Sequence, residues 1–402
     1  MGKCLYGNSF IKITPSGILL DQVPLKDLTQ QVSSPFFIFF QNKLSENIQR
    51  LRSIGNSIFS NFRIVYSIKA NYLVPILKEI DAISVPFELI SEYEYAILKR
   101  ESLSTENLIV GGPYLPDSFI TEIIKEKNPI FVIYSIGQAH RLDKIAKKAE
   151  TTVKALVRFT APKSESHLGL SLNDTTLNHL EQVTHSCGNI ELIGVNSHYG
   201  TQLNSRDSYV KNAHYLAEIT RVLESKGIFI PKMLNLGGGF PNASVIKNSQ
   251  LVTILSDIKN ELNQFGYSNL EIIFEPGRYI VEDIGVFIMN LIEVSDCSHS
   301  LYVNAGTNFL PRFARNSLRF YNADQPISHY NNQVTIYGNI PSEEEILTKN
   351  YNFSSINHVG DHILVLNCGA YCITFSNRFP YKKPKIVFIY GSSFTVHEMD
   401  FP

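Results

Sequence analysis

The sequence predicts an α/β protein: a parallel (β/α)8 barrel followed by an antiparallel β domain. Three observations carry this. Short runs dense in β-branched and large apolar residues recur from Ile64 to Arg278, as expected of strands buried on both faces. Amphipathic helical patterns separate them. After Arg278 the helical patterns give way to strand-like runs joined by turns rich in Asn, Gly, Pro and Ser. An open doubly wound sheet is the other architecture compatible with the alternating part.

Eight runs read as barrel strands. They are IVYSIKA (from Ile64), FELIS (Phe87), LIVGG (Leu108), FVIYS (Phe131), KALVRF (Lys154), ELIGVNSHYG (Glu191), MLNLGGG (Met233) and EIIFEPGR (Glu271). Between them, Ala139, Leu142, Ile145 and Ala146 fall on one helical face, and Val210, Ala213, Leu216 and Ala217 on another. Ahead of the barrel, FFIFF (from Phe36) reads as a strand and Leu44, Ile48, Leu51 and Ile58 as a helix. Beyond Arg278, VFIMNLIEV, SLYVNAG, VTIYG, DHILVLN, YCITF and KIVFIYG read as strands, with Asn316 to Asn332 as loop. The implied boundaries are a barrel over 36–285 and a β domain from 1–35 and 286–402.

The bulk properties exclude several classes. A chain of 402 residues suits about two domains, and 44% hydrophobic with 18% charged residues is globular composition. A net charge of -1 gives no basic field for nucleic acid. No apolar run approaches a membrane span and no secretory signal is evident, so a cytoplasmic protein is expected. The five cysteines lack zinc spacing and read as free thiols, and no metal is expected.

In such a barrel, chemistry gathers at the C-terminal strand ends, and the unusual polar residues fall there. Lys69 closes the first run; desolvation there would favour a neutral, nucleophilic amine, or the side chain simply snorkels at the rim. Glu88 and Ser91 lie in the second run and Arg158 in the fifth. His198 closes the sixth, as a base, a ring to stack on a cofactor, or a structural histidine. Gly237, Gly238 and Gly239 close the seventh, as a phosphate-wrapping loop or a tight turn. Glu275-Pro276-Gly277-Arg278 closes the eighth, where Glu275 would partner a pyridine nitrogen and Arg278 an anion, or the two form a structural salt bridge. One cofactor uses all four together.

The stretches SSPFFIFF (from Ser33), YSIKAN (Tyr66), FELISEYE (Phe87), SHYGTQ (Ser197), LNLGGGFP (Leu234), FEPGRYIV (Phe274), NAGTNFLPR (Asn304) and GDHILVLNCGAY (Gly360) span nearly the whole chain in one order. On them the chain resembles the fold-type III decarboxylases that use pyridoxal 5'-phosphate (PLP). This group holds diaminopimelate, ornithine and arginine decarboxylases on an alanine-racemase-like barrel, and the diaminopimelate branch is the nearest. The resemblance implies that Lys69 carries PLP as a Schiff base, His198 stacks on its ring and Glu275 pairs with its pyridine nitrogen. It gives Gly237, Gly238, Gly239, Arg278 and Tyr371 to the phosphate end, Gly277 to the cofactor site, and places Glu88, Ser91, Glu94 and Arg158 around the cofactor. Arg278, Arg312, Glu343 and Tyr371 would meet an amino-acid substrate. The family also implies a homodimer in which the β domain of one subunit completes the other's site.

The resemblance breaks at Gly338-Asn339-Ile340-Pro341-Ser342-Glu343-Glu344-Glu345. Pro341 stands where the family has the cysteine that helps return a proton, Ser342 where diaminopimelate decarboxylases have a glutamate, and Glu345 where an aspartate stands. Asn316 replaces a substrate-binding tyrosine and Leu115 a lysine. The expectation is therefore a PLP-dependent amino-acid decarboxylase with a specialised substrate, such as a larger conjugated or carrier-linked amino acid. Glu343, Glu344 and Cys372 are the candidate proton donors. The alternatives are another PLP reaction, such as racemisation, and a non-catalytic homologue.

Overall fold

The computed structural model describes residues 3–127, 129–162, 166–295, 299–311 and 317–399. The chain divides into two compact units, one of residues 48–241 and 246–277 and the other of residues 1–47, 242–245 and 278–402.

The first unit is the predicted barrel. Its strands are β1 (Phe62–Ile64, resuming as Tyr66–Ser67), β2 (Phe87–Leu89), β3 (Ile109–Gly111), β4 (Ile130–Ile133), β5 (Val153–Arg158), β6 (Ile190–Asn196), β7 (Met233–Asn235) and β8 (Glu271–Phe274). Every neighbouring pair is parallel, and β1 closes the ring. Closure happens by a change of partner within β1. Val65 N donates to Phe274 O of β8 at 2.9 Å, and Tyr66 N then donates to Pro86 O, just ahead of β2, at 2.7 Å. A closed ring of parallel strands excludes the open doubly wound sheet. The interior is filled by Val65, Ile109, Val132, Leu156, Ile193 and Ile273.

Helices α1 (Val74–Ala82), α2 (Glu92–Arg100), α3 (Asp117–Glu126), α4 (Ile136–Lys148), α5 (Asp174–Ser186), α6 (Arg206–Ser225) and α7 (Asn248–Gln264) alternate with the strands. In α4 the buried residues are Ala139, Leu142, Ile145 and Ala146, the face read from the sequence. Side-chain caps fix where several helices begin. Ser91 accepts from Glu94 N at 3.4 Å and Ser135 from Gln138 N at 3.2 Å.

In the second unit, Phe36–Phe40 pairs antiparallel with Gly285–Val294 and parallel with Lys385–Tyr390. All five phenylalanine-rich residues are buried because both faces are covered. Phe36, Ile38 and Phe40 pack with Val286, Ile288 and Val387. On the opposite face, Phe37 meets Phe287 with centroids 4.4 Å apart and Phe39 meets Phe388 at 5.6 Å. This strand was expected with the barrel, so the units divide at 47/48 and 277/278 rather than at 36 and 285. An apolar pentapeptide announces burial but not which sheet buries it.

Three further expectations change. The β unit is mixed rather than antiparallel, because Ser300–Val303 runs parallel to Asn332–Tyr337, as Phe36–Phe40 does to Lys385–Tyr390. YCITF is not a strand: Tyr371 takes φ 66° and Cys372–Phe375 forms one helical turn. Within the expected loop, Arg319–Asn322 pairs antiparallel with His362–Leu366. Four residues are too few to show a period, and the long strand beside them supplies the register.

Candidate active site

The site assembles at the C-terminal strand ends of the barrel unit. Lys69 lies in a single helical turn, Ile68–Ala70, that ends β1. Its Nζ stands 2.8 Å from each carboxylate oxygen of Glu88, from the neighbouring strand β2. The Lys69 side chain is 38% exposed and that of Glu88 6%. A bare, desolvated amine was expected; the structure gives it an ion-pair partner instead. Glu94 stands behind them on α2, buried, with its carboxylate accepting from Ile90 N at 2.6 Å. Burial, and next among the raising effects the Glu88 charge, pushes Glu94 up to about 7.

Further polar groups come from β5 to β8. Arg158 ends β5, with Nη1 3.3 Å from the Tyr134 hydroxyl and its guanidinium 4.8 Å from the Tyr134 ring centre. His198 follows β6, and its Nδ1 accepts from Gly238 N at 3.3 Å. Burial, reinforced by the charges of Arg158 and Lys69, pushes the imidazole down to about 4, so it is neutral at ordinary pH. Glu275 follows β8 and accepts from Asn235 Nδ2 at 2.7 Å. Burial first, then the Glu88 charge, pushes its carboxyl up, against Lys69, Asn235 and Arg158. Lys69, Glu88, Arg158, His198 and Glu275 thus act on one another electrostatically and form one cluster.

The glycine loop after β7 is tied into this cluster. Asn235 Oδ1 accepts from Gly237 N at 2.9 Å, and Glu275 N donates to Gly237 O at 2.9 Å. Gly237 has φ +67°, and a Cβ there would stand 2.9 Å from both His198 Nδ1 and Ser197 O. At Gly238 a Cβ would stand 2.7 Å from Glu275 O. No side chain fits, so backbone alone lies against His198 and Glu275. At Gly277 a Cβ would stand 2.9 Å from the Cβ of Ala70, next to Lys69.

Arg278 and Tyr371 belong to the β unit. The buried Arg278 pairs with Glu282, not with Glu275, and its guanidinium lies 5.1 Å from the Tyr371 ring centre. Glu343 lines an open depression of the same unit with Thr307, Pro311, Ile340, Glu344 and Phe379. Glu345 is buried there, and both its carboxylate oxygens accept from Thr307, through N and Oγ1. Cys372 is fully buried beside Cys368. Leu115 is buried after β3. Arg312 and Asn316 lie outside the described residues.

Sequence reasoning missed Asn235 and Tyr134. Asn235 has a legible signal, a polar residue between Leu234 and Leu236 in an apolar strand. Tyr134 has none, since a tyrosine ending an apolar strand is ordinary core composition.

A closed α/β barrel bearing a lysine, a neutral histidine, a buried carboxylate and a glycine loop at its C-terminal rim defines a class of enzyme that fits PLP. The amine suits the cofactor's aldehyde, the buried carboxylate its pyridine nitrogen and the bare backbone loop its phosphate. Comparison with known proteins gives the family: residues 44–282 match the pyridoxal binding domain of the pyridoxal-dependent decarboxylases, and the chain belongs to that family. It is a PLP-dependent amino-acid decarboxylase. Among curated relatives, an L-glutamyl-[BtrI acyl-carrier protein] decarboxylase of Niallia circulans is 22% identical, covering 89% of this chain and 88% of that one. A diaminopimelate decarboxylase of Aquifex aeolicus is also 22% identical, over 92% and 90%. The solved diaminopimelate decarboxylase of M. jannaschii, a complex with L-lysine, shares the fold with TM-score 0.85 at 17% identity, over 98% and 95%. Among the described residues, no helix is long and apolar enough to cross a membrane.

Proposed function

We propose that the chain removes the α-carboxylate of a conjugated or carrier-linked amino acid, with Lys69 as the amine that holds PLP. The observation that carries the assignment is the Lys69–Glu88 contact at 2.8 Å, within one electrostatic cluster with His198 and Glu275. Bound PLP supplies an aldehyde for an amine and a ring that withdraws electrons as carbon dioxide leaves. Glu88 accepts hydrogen bonds from the Lys69 ammonium and can hold its proton. Glu275, fixed by Asn235, is the carboxylate for the pyridine nitrogen. His198, kept neutral, offers a flat ring without adding charge. Gly237, Gly238 and Gly239, with Arg278 and Tyr371, are assigned to the phosphate end and Gly277 to the cofactor site; Arg278, Arg312, Glu343 and Tyr371 are assigned to substrate.

The substrate class rests on the rewritten stretch. Pro341 has no proton to give and Ser342 lacks a carboxylate, which removes features that the diaminopimelate branch uses. A relative that acts on a carrier-linked glutamyl group supports the same direction. Glu343 and Glu344, both exposed, are better placed to return a proton from solvent than the buried Cys372. Family resemblance also supports a homodimer, and the composition supports a cytoplasmic protein.

Product mass spectrometry tests this. Purified protein with PLP is given free glutamate, meso-diaminopimelate and a carrier-linked glutamyl group. Loss of one carbon dioxide from the carrier-linked amino acid, with little from meso-diaminopimelate, is the expected result. Efficient turnover of meso-diaminopimelate would overturn the substrate assignment. Proton exchange at Cα without mass loss would instead favour racemisation.

A further inference from the structure

Arg158 is half-buried in the cluster, yet no carboxylate among the described residues stands within 4.0 Å of its guanidinium. Its backbone is fixed. Arg158 O accepts from Leu170 N at 2.8 Å, and Gly169, at φ +115°, lets that segment lie flat on it; a Cβ there would stand 2.9 Å from Arg158 O. Among the described residues, two groups hold its side chain. Nε donates to Leu168 O at 3.3 Å, and Nη1 reaches the Tyr134 hydroxyl at 3.3 Å above the Tyr134 ring. Both hydrogen bonds are long, so the ring contact at 4.8 Å is the main restraint. Nη2 has no partner among the described residues.

We propose that Tyr134 is a positioning residue: it holds the Arg158 guanidinium in place so that its free edge meets an anionic oxygen of bound PLP. The inference rests on the reading of this cluster as the cofactor site. A guanidinium held over the ring through Nη1 keeps the N–H groups of Nη2 available, and pre-placing it avoids ordering a flexible side chain when the anion arrives. Tyr134 is suited to this because it restrains a cation without neutralising it. A carboxylate in its place would pair with Arg158 and compete with the incoming oxygen.

The test is titration of the apoprotein with PLP, read by absorbance, together with kcat and KM. The proteins compared are the natural chain, Tyr134→Phe, Tyr134→Leu, Arg158→Met and the two Tyr134 variants each combined with Arg158→Met. Tyr134→Leu removes ring and hydroxyl and weakens PLP binding roughly tenfold; Tyr134→Phe keeps the ring and weakens it by roughly threefold or less. Since Tyr134 acts through Arg158, neither substitution weakens binding further once Arg158→Met is present. A purely structural tyrosine would lower stability in every background instead. The proposal fails if Tyr134→Leu binds PLP as tightly as the natural chain, or if its effect adds fully to that of Arg158→Met. Should Tyr134→Leu not fold, Tyr134→Met, which also removes the ring, is compared with and without Arg158→Met. A natural chain without a Lys69-dependent PLP band would overturn the cofactor-site reading, and this proposal with it. An intact band that no Tyr134 substitution disturbs would overturn this proposal alone.

Discussion

Lys69 Nζ is equidistant, at 2.8 Å, from the two carboxylate oxygens of Glu88. The symmetric contact joins the ends of adjacent parallel strands and sets the amine's direction before any cofactor is present. Lys69→Ala is expected to abolish covalent capture of PLP, read as loss of borohydride-fixed label. Glu88→Gln keeps the shape but removes the charge, and is expected to slow capture at least tenfold because a charge-assisted contact is lost. Unchanged capture in Glu88→Gln would show that Glu88 does not govern the amine.

Asn235 has a comparable role at Glu275. It donates to the carboxylate at 2.7 Å and accepts from Gly237 N at 2.9 Å, so one side chain links Glu275 to the glycine loop. Asn235→Leu strands a buried carboxylate and an amide together. Turnover is expected to fall by about ten- to a hundredfold, the loss of a buried hydrogen bond to a charged group. Steady-state kcat against pH measures it.

Stability of the apoprotein should depend on pH through Glu94. Burial favours its protonated form in the fold, raising it from 4.5 to about 7. Between those values the native state binds more protons than the unfolded chain, so Glu94 makes stability fall as pH rises through that window. Thermal melts of the natural chain and Glu94→Gln from pH 4.5 to 7.5 test this, and a more positive slope of Tm against pH in the variant than in the natural chain is the expected result. His198, held down to about 4 from 6.5, works in the opposite sense: between those values the unfolded chain binds the extra proton, so His198 makes stability rise as pH rises through that window.

The β unit offers a structural prediction at Glu345. Its carboxylate takes both Thr307 N and Oγ1, and a Cβ at Gly338 would stand 1.9 Å from Oε1. Glu345→Ala leaves Thr307 N unsatisfied and is expected to cost about 2–3 kcal/mol in urea unfolding. Gly338→Ala should destabilise as well, by displacing the carboxylate. An unaffected midpoint in both variants would show that the Thr307–Glu345 contact carries no stability.

The barrel was legible because strands buried on both faces are continuous apolar runs, and the helices between them show their period in residues such as Ala139, Leu142 and Ile145. The clustered polar residues were legible as candidates for a related reason: Lys69, His198, the glycines and Glu275 interrupt apolar runs where a barrel places its chemistry. Sheet membership was not. Phe36–Phe40 states that it is buried, but its partners Gly285–Val294 and Lys385–Tyr390 lie hundreds of residues away, and local composition carries no register. Tyr371–Phe375 shows the same limit, since an apolar pentapeptide becomes a helical turn once Tyr371 adopts φ 66°.

What the sequence determined by itself is the order of elements and the kinds of groups at the strand ends, because both follow from local pattern. What only the tertiary structure decided is which groups face each other: Glu88 at Lys69, Asn235 at Glu275, Tyr134 beneath Arg158. Those pairings depend on barrel closure, and closure is set by hydrogen bonds between strands far apart in the chain.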